Sequence, residues 1–168
     1  MKKACILVIG GALLSSAAQA ASPATTSFNV TITIEKECTV TKPADINLGT
    51  HGSTQPLATT ISGNTTFSVT CSKGTGYTIG FVGANDLPGT PPTHQMKGAA
   101  SGNTDFVQYS LVDFTSGTAG APLGGTNVIT DTGNGTAQSK TLKATVTNYT
   151  TAVQNDTYTD TVTMSVAY

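Results

Sequence analysis

The sequence predicts an all-β protein folded as an antiparallel β-sandwich. Seven or eight short segments alternate apolar with polar residues at intervals of roughly 10 to 20 residues, and turn residues separate them. Thr makes up about a fifth of the chain, and Thr together with Val, Ile, Tyr and Phe is typical of strands. No segment places apolar residues at helical spacing over three turns, so no helix is expected.

The first residues have the pattern of an export signal. Lys2 provides a basic start, Ile6–Leu14 a short apolar core, and Ala18–Ala20 a small-x-small cleavage site. The apolar run is too short to cross a bilayer, which takes about 20 residues. We therefore expect a signal peptide over residues 1–20 and an exported mature chain that begins at Ala21.

The composition of the mature chain favours one domain and argues against nucleic acid as a partner. The chain of 148 residues is long enough for a core of its own. Without Lys2 and Lys3 it carries 6 Lys against 9 Asp and Glu, a net charge of −3, and the sequence contains no Arg. Because phosphate neutralisation needs positive side chains, nucleic-acid binding is not expected.

Two cysteines remain after the signal peptide. In an oxidising compartment a disulfide between Cys38 and Cys71 is the default expectation. A metal pair or a reactive thiol would need His or Cys neighbours, which the sequence does not place beside them. Closing a loop of roughly 34 residues would stabilise the fold by about 3 to 4 kcal/mol.

The first alternating segment covers residues 27–34. Phe28, Val30, Ile32 and Ile34 alternate with small polar residues, which predicts a strand with one apolar face. The pattern leaves two possibilities open. The segment could be the first strand of its own sandwich, or its apolar face could be buried in another copy of the protein.

The remaining strands follow in order along the chain. Residues 83–103 are rich in loop residues, with a short strand possible around Met96. Because only a short turn separates residues 65–71 from residues 77–82, these two strands are predicted to be antiparallel neighbours. The predicted strands are Cys38–Val40, Ile46–Gly49, Thr65–Cys71, Tyr77–Val82, Phe106–Phe114, Asn127–Thr130, Leu142–Val146 and Tyr158–Tyr168.

The last of these strands has the clearest pattern. Val162, Met164, Val166 and Tyr168 alternate with small or polar residues, and the sequence stops on the strand. Chain ends usually fray unless a sheet holds them. The pattern therefore predicts a strand that is fully paired and central to the assembly.

The sequence offers little for catalysis. His51 and His94 lie in Pro- and Gly-flanked stretches without ligand-spaced Cys, Asp or Glu, so both are expected at the surface rather than on a metal. The aspartates are scattered singly, where turn or capping roles are ordinary. No hydrolase or metalloprotease motif is present in the sequence. We expect no enzyme, cofactor or small-molecule substrate.

Several segments resemble the spore coat protein U-like domain family, whose members include subunits of archaic chaperone-usher pili. The resemblance covers essentially the whole mature chain, and its most specific part is the ending, a Tyr-x-Asp followed by an alternating run to an aromatic residue. The segments are the alternation before the first cysteine, Gly63–Cys71, Phe106–Asp113 and Tyr158–Tyr168.

The resemblance implies an immunoglobulin-like sandwich that lacks its last strand, over residues 38–168. An external strand would complete it, from a periplasmic chaperone first and then from the N-terminal extension of the next subunit, residues 21–37. Phe28, Val30, Ile32 and Ile34 would be the donor side chains. The acceptor groove and chaperone contact would comprise Tyr158, Val162, Met164, Val166 and Tyr168.

The function implied is that of a structural pilin. Subunits would leave the periplasm through an outer-membrane usher and join head to tail, as a homo- or hetero-polymer, into a cell-surface fimbrium for adhesion and biofilm formation. The alternative is a self-contained secreted β-sandwich, either a binding module or a coat-like surface protein. Size-exclusion chromatography of the chain exported without a chaperone would separate the two, because a stable monomer favours the module.

Overall fold

A computed structural model describes residues 23–52, 60–89, 91–146 and 153–168 of the chain. The predicted signal peptide, residues 1–20, lies outside the described residues. Residues 34–168 belong to one compact unit, and residues 23–33 belong to another. The compact unit, called the body below, contains all the strands that the structure describes.

The body contains nine strands in the described residues. The described part of the chain includes no helix with the length and hydrophobicity that a membrane crossing requires. In chain order the strands are β1 (Cys38–Val40), β2 (Ile61–Cys71), β3 (Gly76–Gly83), β4 (His94–Gly98), β5 (Phe106–Asp113), β6 (Ile129–Thr132), β7 (Gln138–Val146), β8 (Tyr158–Thr159) and β9 (Val162–Ala167).

These strands form two antiparallel sheets. The larger sheet has the order β1-β2-β7-β5-β4-β8, and the smaller has the order β6-β3-β9. The rings of Phe67 in β2 and Phe81 in β3 meet edge to face across the sheets, with centroids 6.5 Å apart. The prediction of an all-β antiparallel sandwich is confirmed.

The core follows from the alternation that predicted the strands. Every second residue is buried in β3, in β2 from Thr65 onward and in β7 from Lys140 onward, because successive residues of a strand point to opposite faces. Val69 and Ile79 are completely buried. The other large apolar core side chains are Phe67, Tyr77, Phe81, Val107, Tyr109, Leu111, Leu123, Ile129, Leu142 and Val146.

The disulfide between Cys38 and Cys71 is present, as predicted. The two residues are directly paired in the ladder between β1 and β2. The bond therefore fixes the first strand of the body to the longest strand in the larger sheet.

Two predictions about strands were wrong. Strands β2 and β3 are not neighbours: β2 pairs with β1 and β7, whereas β3 pairs with β6 and β9. The connecting turn carries the chain from one sheet to the other, so that both strands bury their apolar faces in the same core. Residues 46–49 form no strand, although Ile46 and Leu48 pack against the core from a loop.

The last predicted strand, Tyr158–Tyr168, divides into two. The segment β8 pairs with β4 in the larger sheet, and β9 pairs with β3 in the smaller sheet. Among the described residues of this single chain β9 is the outermost strand of its sheet, so full pairing and a central place in an assembly stay a prediction. Local alternation shows which face is apolar, but it does not show how many neighbours a strand has.

Candidate binding groove

The described body contains a surface groove of about 640 Å³. Both sheets contribute to it, together with the loop that follows β1. Apolar side chains dominate its lining. The lining residues are Val40, Thr41, Lys42, Pro43, Ala44, Asp45, Ile46, Leu48, Thr65, Phe81, Met96, Tyr109, Leu111, Leu142, Ala144, Tyr158, Thr159, Asp160, Val162 and Met164.

One wall of the groove is the outermost strand β9. Among the described residues β9 pairs only with β3, in a register that places Met164 opposite Phe81 and Val162 opposite Gly83. An outermost strand presents N–H and C=O groups on its second edge to any segment that lies beside it. The groove thus offers backbone hydrogen bonds as well as apolar surface.

The floor of the groove is the sandwich core. Leu111 of β5 and Leu142 and Ala144 of β7 are buried in the core and also line the groove. Val162 and Met164 are half-buried and stand two residues apart, so they face the same side of β9. This arrangement suits an extended segment whose apolar side chains recur at every second residue.

The loop of residues 41–48, which follows β1, also lines the groove. The Thr65 hydroxyl donates a hydrogen bond of 2.7 Å to the Ala44 carbonyl and ties the loop to β2. Ile46 and Leu48 pack their side chains against the core. Within this loop Lys42 and Asp45 form an exposed ion pair, with the two charged groups 3.6 Å apart.

The predicted acceptor residues occupy different parts of this surface. Tyr158, Val162 and Met164 line the groove. Val166 lies further along the same half-buried face of β9, beyond the lining. Tyr168 follows the strand and is 53% exposed.

The predicted donor side chains are the most exposed large apolar residues described. Phe28, Val30 and Ile32, in the N-terminal unit, are 82–88% exposed, and Ile34, at the start of the body, is 82% exposed. Residues 23–37 form no strand. Solvent-exposed apolar side chains in such a regular row are a feature of interaction surfaces.

A polar cluster at one end of the groove was not predicted from the sequence. The Asp86 carboxylate lies 2.6 Å from Nδ1 of His94, whose Nε2 lies 2.9 Å from the Leu123 carbonyl oxygen. The Tyr109 hydroxyl donates a 2.7 Å hydrogen bond to Asp160. Burial and the neighbouring Asp160 carboxylate raise the pKa of Tyr109, so its phenol keeps the proton that it donates.

The prediction of a surface histidine was wrong for His94 and agrees with the structure for His51, which is exposed. His94 is 2% exposed because it occupies the first position of β4, on the core side. The short strand expected around Met96 was the available signal. Because alternate residues share a face, it would have placed His94 beside Met96 rather than in a loop.

Asp86, His94 and Asp160 are the described residues that could hold a metal ion, with one ligand atom each within 4.8 Å of the others. The same atoms are already engaged in hydrogen bonds within the cluster. Both ring nitrogens of His94 lie within hydrogen-bonding distance of an oxygen atom, Nδ1 of the Asp86 carboxylate and Nε2 of the Leu123 carbonyl. A buried ring with both nitrogens engaged is not positioned to serve as a general base for a substrate.

A second charged cluster lies outside the groove lining. Lys140 of β7 forms a short ion pair with Asp131 of β6, and the Tyr77 hydroxyl lies 3.3 Å from Gln138. The hydrogen bond from Lys140 lowers the pKa of Asp131. Burial opposes the charge on Lys140, but Asp131, Tyr77 and Asp113 together outweigh it and raise the Lys140 pKa. Burial also raises the pKa of Tyr77.

Comparison with known proteins supports this fold. No curated protein sequence matched the chain. A solved structure, the crystal structure of the CsuC-CsuE chaperone-tip adhesion subunit pre-assembly complex from archaic chaperone-usher Csu pili of Acinetobacter baumannii, contains a similar chain with 18% sequence identity and a TM-score of 0.53. The similarity covers 81% of this chain and 41% of that one. The sequence model of the Spore Coat Protein U domain matches residues 24–165, and the chain belongs to that family.

Proposed function

We propose that this protein is a structural subunit of an archaic chaperone-usher pilus. It polymerises by donor-strand exchange into cell-surface fibres that serve adhesion and biofilm formation. The observation that carries the proposal is the apolar groove alongside the outermost strand β9, which lacks a second neighbour among the described residues. Such a groove fits one additional strand.

The chain has three functional parts in this proposal. Residues 1–20 direct export and are removed, residues 21–37 form the donor extension, and residues 38–168 form the incomplete immunoglobulin-like pilin domain. The disulfide at Cys38 marks the start of the pilin domain and anchors it to β2. The donor extension of 17 residues can span roughly 55 Å when extended, which is enough to enter a neighbouring domain.

The donor and the groove have matching chemistry. The four donor side chains recur at every second residue, as do the half-buried residues of β9. Full burial of the four would contribute about 1.5 to 3 kcal/mol each, or about 6 to 12 kcal/mol before the cost of ordering the segment. Backbone pairing with β9 gives direction, and a slip by one residue would turn the apolar face outward.

The groove also explains the partners that the proposal requires. An exposed strand edge beside apolar surface invites aggregation, so a periplasmic chaperone covers the groove before assembly. At the outer-membrane usher the extension of the next subunit replaces the chaperone. Because donor and acceptor are different surfaces, the contact is head to tail and generates an open filament. The structural likeness to a chain in a chaperone–subunit pre-assembly complex supports this arrangement.

Deleting residues 21–34 tests the proposal. The shortened subunit should still bind the chaperone and accept a donor strand but should not donate one, so electron microscopy of cells that express it alone should show no fibres. A variant with Ala at Ser27, Asn29, Thr31 and Thr33 is the matched control, since it keeps the apolar face. Normal fibres from the deletion variant would refute the proposal, and a stable monomer exported without a chaperone would favour the secreted binding module.

A further inference from the structure

The strand that lines the groove changes sheets at Asp160 and Thr161. On one side of this switch Thr159 pairs with Lys97 of β4, and on the other side Val162 pairs with Gly83 of β3. A strand that leaves one sheet for another has to hold its backbone at the crossing without a regular ladder. The contacts at this crossing therefore determine where the groove wall begins.

Asp160 holds the crossing through its carboxylate. One oxygen accepts hydrogen bonds from the Thr161 N–H at 2.9 Å and from Asn85 Nδ2 at 3.1 Å. The other accepts from the Tyr109 hydroxyl at 2.7 Å. The Thr161 carbonyl in turn accepts from the Ala84 N–H at 3.0 Å. Hydrogen bonds to a carboxylate are stronger than those between neutral groups, so this side chain pins the switch to β5 and to the end of β3.

Tyr109 is held in turn by the His94–Asp86 pair. The Tyr109 and His94 rings stack with centroids 5.3 Å apart and an interplanar angle of 22°. His94 is fixed at both nitrogens, by Asp86 and by the Leu123 carbonyl oxygen. Asp86 also accepts a 2.8 Å hydrogen bond from the Gly83 N–H. The His94 ring, on which Tyr109 stacks, is consequently held by a contact at each of its two nitrogens.

Gly83 allows the two carboxylates to come together. A Cβ at this position would lie closer than 3.0 Å to carboxylate oxygens of both Asp86 and Asp160. A side chain would therefore force the two groups apart. The close approach of the backbone to both carboxylates accounts for glycine here.

We propose that Asp86 and His94 are positioning residues for the acceptor groove. They fix Tyr109 and Asp160, and through them the start of the groove wall, and so determine how firmly the groove retains a donor strand. Tyr109 and Asp160 line the groove, whereas Asp86 and His94 do not. Any effect of Asp86 or His94 on donor release is therefore indirect, through Tyr109 and Asp160 or through the Gly83 backbone, which pairs with Val162. The inference rests on the proposed function.

Subunit exchange between two differently labelled populations of full-chain oligomers measures the release rate. We expect His94→Gln to accelerate release by about tenfold, within the range for loss of a charge-assisted hydrogen bond. Asp86→Asn should act in the same direction with a smaller change, because the amide keeps the shape and an oxygen for the Gly83 N–H. Asp131→Asn is the matched control, since it weakens a charged contact outside the groove lining and should change the release rate by less than about twofold.

Hydrogen exchange at the Thr161 amide provides a second measurement that does not require assembly. Its protection should fall in His94→Gln and Asp86→Asn and stay unchanged in Asp131→Asn. The inference would be overturned if His94→Gln and Asp86→Asn both released the donor strand at the wild-type rate, or if Asp131→Asn accelerated release equally. If the wild-type chain forms no oligomers, the proposed function fails instead, and Thr161 protection still decides whether Asp86 and His94 position the switch.

Discussion

Residues 27–34 and strand β9 share one sequence pattern but differ in what covers their apolar faces. In β9 the side chains of Val162, Met164 and Val166 are half-buried, and the strand is paired with β3. In residues 27–34 the apolar side chains are more than four-fifths exposed, and no strand forms. The same alternation therefore accompanies two different structural states.

The difference teaches that alternation specifies a face and not a partner. Strand β9 follows a switch that is anchored by the Asp160 carboxylate, so its backbone starts in place beside β3. Residues 27–34 lead instead into the charged stretch Glu35–Glu37, and the disulfide anchor comes only at Cys38. Under the proposed function, residues 27–34 of one subunit pair with β9 of another subunit, so each segment supplies one strand of an intersubunit pair.

The largest expected effect comes from a charge on the donor face. Ile32→Asp should weaken subunit assembly by about 4 to 6 kcal/mol, since it removes the burial of one isoleucine and places a carboxylate among apolar side chains. The stability of the isolated chain should change by less than about 0.5 kcal/mol, because Ile32 is 82% exposed. Oligomer dissociation and urea unfolding of the same sample measure the two quantities.

Thr31→Asp is the control for that experiment. It adds the same charge on the polar side of the segment, so we expect assembly to be largely retained. If Ile32→Asp instead prevents the isolated chain from folding, residues 27–34 belong to their own sandwich and the comparison with β9 fails.

Removal of the disulfide should have the next largest effect, and it should act on the body. Replacing Cys38 and Cys71 with Ser opens a loop with a sequence separation of 33 residues. We expect the free energy of unfolding to fall by about 3 to 4 kcal/mol. Urea unfolding of the variant and of the disulfide-bonded wild-type chain checks this value, and the reduced wild-type chain should unfold like the variant. An unchanged midpoint would mean that the β1–β2 ladder is secure without the bond.

Most strand positions could be predicted from the sequence, because burial on one face leaves a local record in every second residue. The segments around Val69, Ile79 and Leu142 were predicted as strands for this reason and are buried in the core. The disulfide followed from composition and compartment. The residues of the groove wall followed from a family resemblance and from alternation in β9.

Sheet membership could not be predicted, because it depends on contacts between distant residues. The short turn at Lys73 and Gly74 is compatible with a hairpin, yet it connects two different sheets. The burial of His94 depends on Asp86 and on the Leu123 carbonyl, 8 and 29 residues away along the chain. The polar Asp160 interrupts the alternation between Tyr158 and Val162, but this local signal does not reveal that the segments on its two sides pair with different strands.

A substitution on β9 should show an intermediate effect that distinguishes it from the donor segment. Met164→Ala should lower the free energy of unfolding of the body by about 1 to 2 kcal/mol, less than for a fully buried methionine because Met164 is half-buried. It should also weaken assembly, since Met164 lines the groove. Thr163→Ala, on the exposed face, is the control. If Met164→Ala weakens assembly with no loss of stability, the contact of Met164 with the core is dispensable.

The smallest expected effect concerns charges that lie outside the groove and tests whether the body can be perturbed without affecting assembly. The pKa of Asp131 is lowered by Lys140, so the stability it contributes is present above the unfolded value of about 3.9 and is lost as the pH falls through the lower folded value. The Lys140 pKa is raised, so its contribution is complete below about 10.4 and is lost as the pH rises through the folded value. Because Asp131 is about one-third exposed, solvent screening limits the whole effect to at most about 1 kcal/mol.

Urea unfolding from pH 2 to pH 11 measures this contribution. In Asp131→Asn the free energy of unfolding should change less at both the acidic and the alkaline end of the pH range, while oligomer dissociation at neutral pH stays unchanged. A change in dissociation would show that the Asp131–Lys140 cluster influences the groove.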